Sequence, residues 1–97
     1  MLVATLWRVR PDLTPEQQQQ GFSRRAQWQP KAKIAAEYWF LGAGPGEWAG
    51  VTIADVNDPG ELMQDLQTWA DQLEMSSHVA VSVDVGLRVA QQAGLTA

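Results

Sequence analysis

Apolar and polar positions alternate most clearly in the middle of the chain. From Lys33 to Leu41, period-two geometry puts Ile34, Ala36, Tyr38 and Phe40 on one face of an extended segment and Ala35, Glu37, Trp39 and Leu41 on the other. From Trp48 to Ala54 the same spacing separates Ala49, Val51 and Ile53 from Trp48, Gly50, Thr52 and Ala54. Two strands joined in a hairpin through Gly42-Ala43-Gly44-Pro45-Gly46 follow from this pattern. Both faces are largely apolar, so both need cover: helices on one side, with a second subunit as a candidate for the other. Glu37 is the exception, a carboxylate on the face that carries Trp39.

Residues 2 to 9 alternate loosely and end at the turn signal Arg10-Pro11-Asp12, which predicts a first strand. Thr14-Pro15-Glu16-Gln17 then has the features of a helix start: a threonine N-cap, a proline at the first helical position and a glutamine placed to return the capping bond. That helix is expected to run to about Trp28, ahead of Pro30, with a thin apolar face of Phe22, Ala26 and Trp28 and a weak point at Gly21. Asn57-Asp58-Pro59 opens a second helix through about Glu74, where Leu62, Leu66, Trp69, Ala70 and Leu73 recur at helical spacing and Asp65 and Asp71 fall on the remaining arc. Residues 78 to 85 alternate strictly, with Val79, Val81, Val83 and Val85 facing away from His78, Ala80, Ser82 and Asp84, and predict a last strand. A short helix from Gly86 to Ala93 closes the chain at Gly94. The predicted order is β-α-β-β-α-β, the ferredoxin-like α+β arrangement: a four-stranded antiparallel sheet with two helices on one face.

A chain of 97 residues predicts one domain, spanning residues 1–97. Without cysteine it has no disulfides, thiolate metal sites or cysteine nucleophiles. No basic leader precedes a long apolar run and no 18-residue apolar stretch occurs, so a cytoplasmic protein without membrane contact is expected. The net charge of −4 argues against nucleic acid, whose binding rests on neutralising phosphates. The charge is also split along the chain, since six of the seven basic residues lie at or before Lys33 and nine of the eleven acidic residues lie after it. Exposed pairs between Arg24 or Arg25 and Asp65 or Asp71 on neighbouring helices are therefore expected. The glycine run is read as a hairpin loop. A phosphate cradle would open a helix and offer amide donors, whereas Pro45 removes a donor and Glu47 adds negative charge.

The arrangement of elements, together with Ala36-Glu37-Tyr38-Trp39 and Gly86-Leu87-Arg88-Val89-Ala90, resembles the dimeric α+β barrel superfamily, and within it a short bacterial family of unknown function. The superfamily includes muconolactone isomerase-like and cofactor-free monooxygenase-like proteins. The resemblance implies a homodimer whose sheets face one another around a cavity, and no cofactor. It carries over no catalytic residue, so catalysis stays open.

With the helices on the Val51, Ile53 and Val79 face, the opposite face would gather Glu37, Trp39, Trp48, Thr52, His78 and Ser82, joined by Thr5 and Trp7. Aromatic walls with a few polar groups are the usual make-up of a small-molecule pocket, and these six residues are the candidate ligand site. The competing expectation is a non-catalytic binding or regulatory module in which this face is only the dimer interface. Glu37 must then be paired, neutral or facing a wet cavity; if desolvated, its pKa would rise and suit it to a general base. His78 is the only histidine and has no cysteine to join it, so no metal is expected.

Overall fold

The computed structural model describes residues 1–95. Along them run β1 (Leu2–Val9), α1 (Pro15–Gln27), β2 (Lys33–Trp39), β3 (Gly50–Asp55), α2 (Pro59–Trp69), β4 (Leu73–Ala80) and α3 (Val83–Gln92). The strands form an antiparallel sheet in the order β2-β3-β1-β4, the predicted ferredoxin-like α+β layout, with α3 added after the last strand. Among the described residues no helix is long and apolar enough to cross a membrane.

Helix starts follow the sequence closely. Thr14 forms the predicted capping box with Gln17, its hydroxyl accepting from the Gln17 amide at 3.2 Å and its own amide donating to Gln17 Oε1 at 2.9 Å. Asp58 caps α2 by accepting from the Gly60 amide at 2.9 Å. The end of α2 comes earlier than its apolar spacing predicts, at Trp69 instead of near Glu74. Arg10 takes over there, its Nε donating to the Ala70 carbonyl and its backbone amide to the Gln72 carbonyl, both at 2.9 Å. The first bond satisfies the carbonyl of the C-cap Ala70, and the second ties the chain entering β4 to Arg10.

β4 is the main correction to the predicted elements, because it occupies 73–80 and not 78–85. Pairing with β1 runs from Val9 with Leu73 to Leu2 with Ala80 and ends there. The alternating Val81, Val83 and Val85 lie outside the ladder, and Ser82 caps α3, accepting from the Val85 amide at 3.3 Å. Asp84 in the first turn favours that helix start. No residue of α3 is buried, and Val83, Leu87 and Val89 are exposed.

The sheet register also reverses the predicted faces of β1, β2 and β3, while on β4 Val79 keeps the helix side and His78 the open side expected of them. Residues opposite one another on neighbouring strands share a face, and one face carries three rows. The first row is Val79, Val3, Ala54 and Ile34; the second is Ser77, Thr5, Thr52 and Glu37; the third is Met75, Trp7, Gly50 and Trp39. Both α1 and α2 cover this face: Leu62 packs on the core of Val3, Ala32, Ala54 and Val56, and α1 reaches Trp39 and Glu37 through Phe22 and Arg25. Val51 and Ile53, expected beneath the helices, lie on the opposite face with Ala4, Leu6, Ala36 and Tyr38. On the helix side β3 presents the smaller Gly50, Thr52 and Ala54: the Trp7 indole occupies the space above Gly50, and Thr52 and Ala54 border open space. Ile34 departs from strict alternation for a separate reason. A bulge at Ala35 shifts the register, so Ile34 pairs with Ala54 while Ala36 pairs with Ile53, and Ile34 joins the same face as Glu37.

Candidate functional site

Under the helix layer, the polar and aromatic rows border a cleft of about 370 Å³. Its walls are mostly apolar, and six aromatic side chains stand among them. Trp7 and Trp39 meet edge to face with ring centroids 5.6 Å apart, and Phe22 from α1 lies 6.0 Å from Trp39. Trp28, the C-cap of α1, stands perpendicular to Trp69 of α2 at 5.5 Å. Four of the five tryptophans, Trp7, Trp28, Trp39 and Trp69, thus border one cleft.

Gly50 lets Trp7 lie where it does. A Cβ at that position would collide with the Trp7 indole and stand 2.7 Å from the Tyr38 carbonyl oxygen. With that space empty, the Trp7 indole N–H reaches Thr52 Oγ1 at 3.2 Å. Thr52 passes its own proton on, donating to Glu37 Oε1 at 2.7 Å.

Glu37 is the centre of the polar end. Its Oε2 accepts from Arg25 Nη2 at 2.8 Å and from the Trp39 indole N–H at 3.1 Å, so each carboxylate oxygen has at least one donor. Burial pushes the Glu37 pKa upward, but the hydrogen bonds from Thr52, Arg25 and Trp39 and the Arg25 charge outweigh it and hold the carboxyl below its ordinary range. The raised pKa expected for a desolvated base is therefore absent. Of the three alternatives for Glu37 the structure takes the first, a paired and ionised carboxylate, which is poorly suited to accept a proton near neutrality.

Three of the six candidate site residues come together here, namely Glu37, Trp39 and Thr52. The other three lie elsewhere. His78 is on the opposite sheet face, its Nε2 2.7 Å from Ser76 Oγ. Ser82 is spent as the α3 cap. Trp48 sits in the hairpin loop beneath the Arg8 guanidinium, 4.8 Å from its ring centroid, and Arg8 also holds the Gly46 carbonyl and Glu74. The cleft itself lies under the helices, whereas the open sheet face was the expected place.

Arg25 and Phe22 were not among the candidates. A signal for both exists in the sequence, because Phe22, Arg25 and Trp28 recur at three-residue spacing and place an arginine within the apolar stripe of α1. Arg24, one position away, forms the predicted bridge to Asp71 at 3.1 Å and donates to the Thr68 carbonyl at 3.2 Å. Asp65, expected on the solvent arc of α2, is buried: its two oxygens accept from the backbone amides of Lys31 and Ala32 at 2.8 and 2.9 Å. It ties the segment between α1 and β2 to α2 and also borders the cleft.

No curated protein matches the chain. Among solved structures it is similar to the crystal structure, at 1.50 Å resolution, of a dimeric ferredoxin-like protein of unknown function from Thermobifida fusca YX, with 18% identity, a TM-score of 0.45 and coverage of 81% of this chain and 89% of that one. Residues 1–94 match the model of a domain of unknown function, DUF3303, and the chain belongs to that family.

Proposed function

We propose that the chain binds a small apolar or aromatic molecule in the cleft between its sheet and its helices. The observation that carries this reading is an aromatic-walled space of about 370 Å³ with a single ion pair, Arg25 and Glu37, at its polar end. Pockets of this size and make-up are those that take small molecules. The rim supports it as well, since Phe22 and Trp39 are large apolar side chains left about half exposed. A screen of small aromatic and alicyclic compounds by tryptophan fluorescence tests the reading, because four tryptophans border the cleft. Compounds that quench emission are expected to bind at least about tenfold more weakly to Trp39→Ala, which removes a wall worth roughly 1.5 to 3 kcal/mol of burial. A panel that produces no binder, or binders indifferent to Trp39→Ala, would overturn it.

The opposite sheet face favours a second copy of the chain as a partner. Leu6, Val51 and Ile53, half-buried, lie together there with Tyr38 on the face away from α1 and α2, and Tyr38 is 60% exposed. Apolar area of that kind is rarely left open in a monomer. Sedimentation equilibrium at micromolar concentration is expected to give a dimer, and replacing Tyr38 and Val51 by lysine to give a monomer with unchanged secondary structure. A wild-type monomer would refute the pairing.

A further inference from the structure

We infer that α3 is an association element: the apolar side of this helix packs against a second copy of the chain and enlarges the self-association surface that the open sheet face begins. The inference rests on the dimer reading above and concerns which further part of the chain the second copy covers.

The helix is fully built, yet it covers nothing in its own chain. Ser82 caps its start. At its end Gly94 enters the left-handed region at φ +70°, and the Leu95 amide donates to the Ala90 carbonyl at 2.9 Å, a turn that satisfies a carbonyl the helix leaves open. Val83, Gly86, Leu87 and Ala90 recur at three- and four-residue spacing and form one side, which Val85 and Val89 widen; Asp84, Arg88, Gln91 and Gln92 form the other. No residue of α3 is buried. Val83, Leu87 and Val89, together with Val79 and Val81 before the helix and Leu95 after it, are between 54% and 80% exposed. A helix of ten residues with three valines and a glycine is too short to hold itself together in water, and helices of this kind are stabilised by packing an amphipathic face. Gly86 points the same way. A Cβ there would meet nothing nearer than Val81 Cγ2 at 3.9 Å, so no contact within the chain calls for a glycine. The radius of gyration, 15.7 Å against about 12.5 Å for a compact domain of this length, is in keeping with an element that stands off the body.

Position, charge and area select the occupant. β4 ends at Ala80, which pairs with Leu2 and shares the open face with it. Only Val81 and Ser82 separate Ala80 from α3, so the helix starts at most about 11 Å from that face. A lipid surface would call for basic residues on the polar side and aromatic ones on the apolar side. α3 has Arg88 alone, matched by Asp84, and no aromatic residue. Being formally neutral, it lets two copies of a chain with a net charge of −4 approach there without like-charge repulsion. A stable interface takes about 800 Å² from each partner, more than one side of a helix about 15 Å long presents. α3 therefore acts together with the sheet face and not as a separate contact.

Sedimentation equilibrium tests this by comparing the wild type with Leu87→Gln/Val89→Gln, which puts good helix formers at two exposed positions. The dimer dissociation constant is expected to rise at least about tenfold, because two apolar side chains are withdrawn from each copy. A second readout leaves the interface intact. The chain has no cysteine, so Leu87→Cys carries a single thiol. Its reaction with a maleimide is expected to be at least about fivefold slower at protein concentrations well above the dissociation constant than well below it, since a covered site reacts only when it opens. A wild-type dimer whose dissociation constant moves by less than about twofold in the glutamine variant, with a thiol labelled equally at both concentrations, refutes the role of α3 and leaves the sheet-face dimer standing. Protection of the thiol by anionic phospholipid vesicles and not by protein concentration would assign the helix to a lipid surface and refute it as well. A wild-type monomer would overturn both readings.

Discussion

Arg25 Nη2 and Glu37 Oε2 lie 2.8 Å apart, and the pair spans the two layers of the fold, one partner on α1 and the other on β2. The carboxylate is the more buried of the two, with 18% of its side chain exposed against 37% for the arginine. Removing the carboxylate charge therefore leaves a cation with partial access to water, which softens the loss. Glu37→Gln is expected to destabilise the chain by about 1.5 to 3 kcal/mol, the range for hydrogen bonds to a charged group. Urea denaturation measures it; a midpoint unchanged from wild type would mean that the pair does not hold α1 to the sheet.

The same carboxyl gives stability a pH dependence of defined sign. Its pKa is lowered in the folded chain, so as pH falls the unfolded chain takes up the proton first, near the ordinary glutamate value of about 4.3. The contribution of ionised Glu37 is then complete above that value and is lost as the pH falls toward and through the lower folded value. Wild type is expected to lose more stability than Glu37→Gln between about pH 6 and about pH 3. Parallel stability curves for the two proteins would show that Glu37 is not linked to folding.

Gly50→Ala places a methyl group against the Trp7 indole and the Tyr38 carbonyl. The indole has to move, giving up its hydrogen bond to Thr52. The expected cost is roughly 1 to 3 kcal/mol, the range for overpacking a filled site, together with a changed near-ultraviolet circular dichroism signal. Adding Trp7→Leu to Gly50→Ala should recover part of the loss, because the smaller side chain leaves room for the methyl. A double variant as unstable as the sum of the two single ones would argue against the contact.

Asp65→Ala strips the acceptors from the Lys31 and Ala32 amides. Ala32 is buried, so its N–H finds no water to replace the lost partner. A loss of roughly 2 to 6 kcal/mol is expected, from about 1 to 3 for each orphaned donor. Amide hydrogen exchange provides a local readout: protection at Lys31 and Ala32 should fall by more than protection in β3.

How far the fold was legible depended on whether the signal was local. Thr14 with Gln17, and Asp58 before Pro59, are caps written in a few adjacent residues, and both helix starts lie where those residues place them. The register of β4 is set by pairing with β1 at the other end of the chain, and the alternation of Val81, Val83 and Val85 does not encode it; the local signal there is Ser82 with Asp84, which starts α3. The faces of the hairpin had a similar dependence. Val51 and Ile53 are the more apolar side of β3, yet Trp7 and Trp39 from its two neighbours need the space above Gly50, and that requirement belongs to three strands at once. In the cleft, Glu37, Trp39 and Thr52 were recognisable because a carboxylate beside an indole is unusual on a strand. Arg25 was expected, like Arg24, to pair with Asp65 or Asp71 of α2; the turn of the helix separates the two, sending Arg24 to Asp71 and Arg25 to Glu37 on the sheet.

The bulge at Ala35 divides β2 into two lengths that answer to different demands. Upstream, Ile34 is in phase with Ala54 and closes the core; downstream, Glu37 and Trp39 are in phase with Thr52 and Gly50 and face the cleft. One extra residue absorbs the mismatch, so the phase of the cleft side chains is fixed independently of the strand's entry from the α1 side. Were the segment from Ile34 to Glu37 drawn into strict alternation with Ala35 retained, the two side chains, three positions apart, would point to opposite sides, and either the core would lose its isoleucine or the arginine its carboxylate. Deleting Ala35 has the other outcome, because Ile34 and Glu37 would then stand two positions apart and share a face without a bulge. The unpaired residue at Ala35 thus decides, by chain length alone, how the strand keeps Glu37 in reach of Arg25.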